Sequence, residues 1–125
     1  MRTQEIPKNE WTEFFDNFSR KHEGWLVNLE IFGPEIGAQV EERELALEGI
    51  TDEWDETKGN TIMIMTGVKP DDHITHSVTC PISVSLEQTD EGADAALAIK
   101  SGDGLTTLLR FRSAVLPEMV DAIAS

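Results

Sequence analysis

The sequence predicts an α+β domain: an N-terminal helix packed on a strongly bent, five- to six-stranded antiparallel sheet or small barrel, with a short C-terminal helix. Three observations predict it. Trp11, Phe14, Phe15 and Phe18 recur at the i, i+3, i+4, i+7 spacing of one helical face. From Trp25 onward the apolar period drops to two, the period of strands that bury one face. Gly33-Pro34-Glu35, Lys69-Pro70-Asp71-Asp72 and Ser101-Gly102-Asp103-Gly104 cut that alternation into hairpin lengths.

The helix is expected over about 10–22, with Asn9 as N-cap and Arg20, Lys21 and His22 at its negative end before Gly24. Strands are expected over about 25–112. The first places Trp25, Val27, Leu29 and Ile31 on one face. In the second, from about Ile36 to Leu47, the apolar phase shifts from Ala38 and Val40 to Leu45 and Leu47, which predicts a bulge or bend near Glu41 to Glu44. The acidic stretch from Gly49 to Asn60 lacks periodicity and reads as a surface loop. Thr61 to Thr66 is apolar on both faces through Ile62 and Ile64, Met63 and Met65. The alternation from Ile74 to Leu86 is the cleanest in the chain, and Pro81, which cannot donate a ladder hydrogen bond, makes it an edge strand or divides it near Cys80. Two more strands follow, through Leu97 and Ile99 and through Leu109 and Phe111. A helix over about 115–123 closes the chain, with Ser113 as its cap and Met119, Val120 and Ile123 facing inward.

The length of 125 residues argues for one domain spanning 1–125. Asp and Glu outnumber Lys and Arg 24 to 10, giving a formal net charge of -14. Phosphate backbones and anionic lipid surfaces are bound by clustered cations, and here the cations are few and scattered, so neither nucleic acid nor membrane is an expected partner. Cys80 is the lone cysteine, which excludes an internal disulfide and fits a reducing compartment. Met1-Arg2-Thr3-Gln4-Glu5-Ile6-Pro7 lacks the apolar core of a secretory signal, and cytoplasm is the expected location.

Histidine and carboxylate gather once, at Asp71-Asp72-His73-Ile74-Thr75-His76. Residues three apart on a strand point to opposite faces, so His73 and His76 do not share a metal or substrate there unless the backbone bulges. His76, in the inward phase, is the candidate acid–base group, with Asp72 and His73 as candidate neighbours; the plainer reading is a hydrogen-bonded histidine at the core margin. Cys80 stands four residues from His76, about 13 Å along an extended strand, too far for a thiolate–imidazole pair. Asp52, Asp55 and Glu56 are the candidate metal ligands, yet the order of an EF-hand loop is absent and solvated charge is the simpler reading. Trp54, in the same stretch, either folds back on the sheet or anchors a partner. No phosphate loop and no Gly-x-Ser-x-Gly elbow occurs, and no cofactor is expected.

The pattern Trp11-x-x-Phe14-Phe15-Asp16, His22-x-Gly24-Trp25, Glu30, Ile36-Gly37-Ala38-Gln39, Leu47-x-Gly49-Ile50, Asp72-His73-Ile74-x-His76 and Asp103-Gly104 resembles a family of small bacterial proteins known only as a domain of unknown function. The resemblance spans the chain to Arg112 and implies no activity, cofactor or catalytic residue. A helix followed by strands with a long bent second strand is also similar to Sm-like barrels, whose RNA-binding basic rings the acidic charge contradicts.

The expectation is therefore a small acidic cytoplasmic domain without catalytic activity, acting by contact with a protein partner or itself, a possible homo-oligomer. Trp54, Met63 and Met65 are its candidate contact residues. The alternatives are an enzyme or small-ligand binder with a pocket around His76, and divalent-cation binding by residues 51–56.

Overall fold

A computed structural model describes residues 2–34, 37–57, 59–67 and 73–115, apart from the side chains of 38, 40–43 and 112–115. The helical aromatic stripe becomes α1 (Trp11–His22), entered through a single 3₁₀ turn at Lys8–Glu10. Eight strands accompany it among the described residues: β1 (Arg2–Ile6), β2 (Leu26–Gly33), β3 (Gly37–Asp55), β4 (Gly59–Thr66), β5 (Ile74–Thr79), β6 (Pro81–Gln88), β7 (Asp94–Ser101) and β8 (Thr106–Val115). They form an antiparallel sheet in the order β1-β6-β7-β8-β2-β3-β4-β5, which among the described residues does not close into a barrel.

Three expectations need correction. Eight strands stand where five or six were expected, partly because Arg2–Ile6 forms a strand on β6. That segment is polar apart from Ile6, so periodicity hides it. The stretch from Gly49 is not a loop: β3 continues to Asp55 and pairs residue by residue with β4, from Gly49↔Met65 to Asp55↔Gly59. Its buried positions in that phase are few, and its carboxylates sit at the exposed end of a hairpin. Val115, where the C-terminal helix was to begin, and Ser113, its expected cap, belong to β8; residues 116–125 lie outside the described residues.

Two corners fold the sheet over its core. The first lies in β3, whose first half pairs with β2 and whose second half pairs with β4. The expected bulge is present: register shifts fall between Val27 and Leu29 and between Leu29 and Glu30, where β3 carries the extra residues. Glu44 takes a positive φ of 49° there, and its N–H donates to Asn28 Oδ1 at 2.7 Å. The second corner is Cys80, with φ 51°, which divides β5 from β6, one of the two outcomes that Pro81 left open. Strands that switch direction at such kinks are how a single sheet wraps a core.

The strand registers align the core in rows. Val84, Ile99 and Thr107 form one row across β6, β7 and β8, and Leu86, Leu97, Leu109 and Leu29 form the next, reaching β2; Val27 faces Phe111. α1 covers this surface with Trp11, Phe15 and Phe18, all at most 4% exposed. Its flank also seals an open edge, because among the described residues the second half of β3 has no strand on the side away from β4. There Ser19 Oγ accepts from the Ile50 N–H at 2.8 Å and donates to the Ile50 carbonyl at 3.2 Å, satisfying two groups that a ninth strand would otherwise bond.

Candidate functional site

The sheet places the candidate residues in separate regions. Directly opposed residues share a face, so the β3–β4 register puts Trp54 on the side of Ile50, Ile62 and Ile64, and Met63 and Met65 on the other side with Thr51. Trp54 stands beyond the core at the hairpin end, 71% exposed, and does not fold back on the sheet. Met63 and Met65 are half-buried. The three expected contact residues therefore do not form one patch.

The histidines also separate. His76 lies opposite Ile64 on the core side of β5 and is half-buried, as its phase requires. His73 precedes the strand and pairs through Nδ1 with Glu48 Oε2 at 3.2 Å, at the rim of a small cavity of about 230 Å³ lined by Glu23, Gly24, Leu47 and Gly67. Asp72 lies outside the described residues. The acidic residues spread along one hairpin: Asp55 accepts the Thr57 N–H in the turn, Glu56 is exposed, and Asp52 faces α1, where Thr12 Oγ1 donates to it at 3.5 Å. Burial pushes the Asp52 carboxyl above its ordinary value, partly offset by Thr12 and by the charge of Lys8. Among the described residues no group of three or more His, Cys, Asp or Glu is placed to hold a metal ion.

One titratable constellation escaped the sequence. His22, at the last turn of α1, is 1% exposed and lies against the Phe18 and Phe111 rings at centroid distances of 4.3 and 4.7 Å. Its Nδ1 donates to the Phe18 carbonyl at 2.8 Å, and its Nε2 lies 3.2 Å from Asp94 Oδ2, at ion-pair distance but off hydrogen-bond alignment. Asp94 Oδ1 accepts from Gln88 Nε2 at 2.9 Å. Burial raises the Asp94 carboxyl, but the contacts from His22 and Gln88 and the charges of His22 and Lys21 outweigh it and hold the group below its ordinary value of 3.8. The pair is largely buried, with the His22 and Asp94 side chains 2% and 12% exposed, which suits a structural tie between α1 and β7.

The sign of its pH dependence follows. A carboxyl lowered in the folded state contributes stability that is complete above the unfolded value and is lost as pH falls through the folded one. Stability should therefore decline as pH drops below about 4, and Asp94→Asn should flatten that limb; urea unfolding at pH 3, 4 and 6 checks it.

The most distinctive surface is defined by what it lacks. From His73 to Leu86 no Asp, Glu, Lys or Arg occurs, in a chain of net charge -14. This run forms β5 and most of β6, and it carries Ile74 and Ile82 at 45% and 66% exposure. β5 ends the strand order, so among the described residues no strand pairs with its outer side.

Fold and site together define a class: an acidic helix-on-sheet domain with a charge-free edge strand among the described residues. Residues 2–119 match the model of a family of unknown function (DUF5335), and the chain belongs to that family. It is similar to an uncharacterised protein of Aquifex aeolicus (strain VF5), 32% identical over 119 residues that cover 94% of this chain and all of that protein. No solved structure matches the chain.

Proposed function

We propose that the protein is a non-catalytic cytoplasmic interaction domain that associates with itself through the β5 side of its sheet. The observation that carries this reading is the charge-free run from His73 to Leu86. Two copies at -14 repel wherever their carboxylates approach, and this run is where a close approach costs no unscreened charge. Unpaired strand edges recruit other strands unless charge, proline or a covering element blocks them. The other sheet edge, β1, carries Arg2 and Glu5, whereas β5 carries neither a Lys, an Arg nor a carboxylate. No helix among the described residues is long and apolar enough to cross a membrane.

A ligand pocket around His76 has less to rest on, since His76 lines neither the cavity at His73 nor the groove between α1 and β3 that Thr12, Asp16 and Asp52 border. Cation binding by residues 51–56 is opposed by the dispersal of Asp52, Asp55 and Glu56 along the hairpin.

Light scattering across a dilution series tests the reading. Mass should rise toward a dimer with concentration, and further when salt is raised from 0.01 to about 0.5 M, because screening shortens from about 30 Å to a few ångströms and removes the net repulsion. A strict monomer at every concentration and salt would overturn the proposal.

A further inference from the structure

We infer that a second copy of this chain pairs its β5 antiparallel with β5 of the first, about a two-fold axis passing beside Ser77, so that the two sheets become one. This rests on the self-association proposed above and names its partner and register.

The sheet geometry restricts the choices. Thr75, Ser77 and Thr79 are exposed and share the face of Met63 and Met65, while His76 and Val78 share the core face with Ile62 and Ile64. An axis perpendicular to a continuous sheet maps the outward face onto the outward face. Odd-numbered residues of one strand must then oppose odd-numbered residues of the other, which centres the pairing on a residue rather than between two. Centring on Ser77 opposes Thr75 to Thr79 and Ser77 to its own copy. The outward side becomes a ladder of hydroxyl side chains, a favourable cross-strand pairing, and His76 is set against Val78. Centring on His76 would put two imidazoles side by side, where any protonation is opposed by like charge.

The occupant is a copy because charge selects it. A basic protein would be drawn to the carboxylate-rich hairpin and helix surfaces, not to an edge strand without charge. A second acidic chain is excluded from those surfaces and meets no repulsion along β5 itself.

Cysteine cross-linking reads the register in the full chain. In a Cys80→Ser background, Ser77→Cys places the two thiols on directly opposed residues, about 4.5–5.5 Å apart at Cα, within disulfide reach. Mild oxidation should convert Ser77→Cys to a covalent dimer, while Thr75→Cys and Thr79→Cys, each about 13 Å from its own copy along the strand, should cross-link at least tenfold more slowly. The Thr75→Cys/Thr79→Cys double variant should regain rapid cross-linking. These substitutions are at exposed positions, and circular dichroism checks that each variant is folded. A dimer by light scattering that cross-links best through His76→Cys, or equally through all positions, overturns this register while leaving self-association intact. A monomer by light scattering overturns both.

Discussion

Replacing His22 by alanine should lower unfolding free energy by about 3–5 kcal/mol, a large fraction of the about 5–15 kcal/mol that a folded domain commonly possesses. The ring fills the space between Phe18 and Phe111, and its two nitrogens answer the Phe18 carbonyl and the Asp94 carboxylate. Its loss leaves a cavity and, beyond that, a largely buried carboxylate with Gln88 as its remaining hydrogen-bonded side chain. Asp94→Asn keeps the volume and a hydrogen-bonding group, so it should cost only about 1–3 kcal/mol. Two further results separate the ion pair from simple packing. A His22→Leu/Asp94→Leu double variant should recover much of the loss, because matched apolar groups replace a buried pair at little cost. In His22→Ala the acid limb should also flatten: without the hydrogen bond and charge of His22, Gln88 and Lys21 alone offset burial of the Asp94 carboxyl, and less stability is lost as pH falls. Urea unfolding of the four proteins at pH 4 and 7 decides it; a His22→Ala cost below about 1 kcal/mol would show the pair to be incidental.

The pair was invisible in the sequence because its members meet only when β7 is laid beneath the end of α1. His22 reads locally as one of three basic residues at a helix terminus, and Asp94 as one carboxylate among many. The aromatic stripe of α1 and the rows of β2 and β6 through β8 were legible, since one-sided burial writes its period directly into the sequence. The division at Cys80 was legible for a similar reason: proline removes a donor wherever it stands. The second half of β3 was not, because at the hairpin end the core phase passes through Asp52 and Trp54 instead of aliphatic residues. The placement of Trp54 opposite in face to Met63 and Met65 depends on hairpin register, which residue types alone do not set. The free edge needed both kinds of information: the charge-free run was present in the sequence, but its position at the end of the strand order came from the topology.

Trp11→Ala should be the second severe lesion, costing about 3–5 kcal/mol, and it should alter association as well as stability. Trp11 is 1% exposed, and its indole Nε1 donates to the Ile6 carbonyl at 2.9 Å, tying the start of α1 to the end of β1. Ile6 is the one buried residue of β1 and stands opposite Val84 on β6. The strand is therefore held by its ladder, one apolar side chain and this tie. Truncating the indole removes the tie and part of the surface against which Ile6 is buried, so amide exchange over Arg2–Ile6 should accelerate beyond that of the rest of the sheet. Trp11→Phe keeps most of the apolar volume but leaves the Ile6 carbonyl without its donor, and should cost about 1–3 kcal/mol. The two variants then diverge in mass. β1 carries Arg2 and Glu5 and covers Val84–Gln88 of β6; once β1 detaches, the molecule presents a second unpaired edge besides β5, with Glu87 as its single charged residue. A chain with one such edge closes into a dimer, whereas a chain with two can continue. Light scattering should show Trp11→Ala growing past dimer mass under conditions where Trp11→Phe does not. Retention of wild-type mass and slow β1 exchange in Trp11→Ala would mean that the ladder to β6 alone holds that strand.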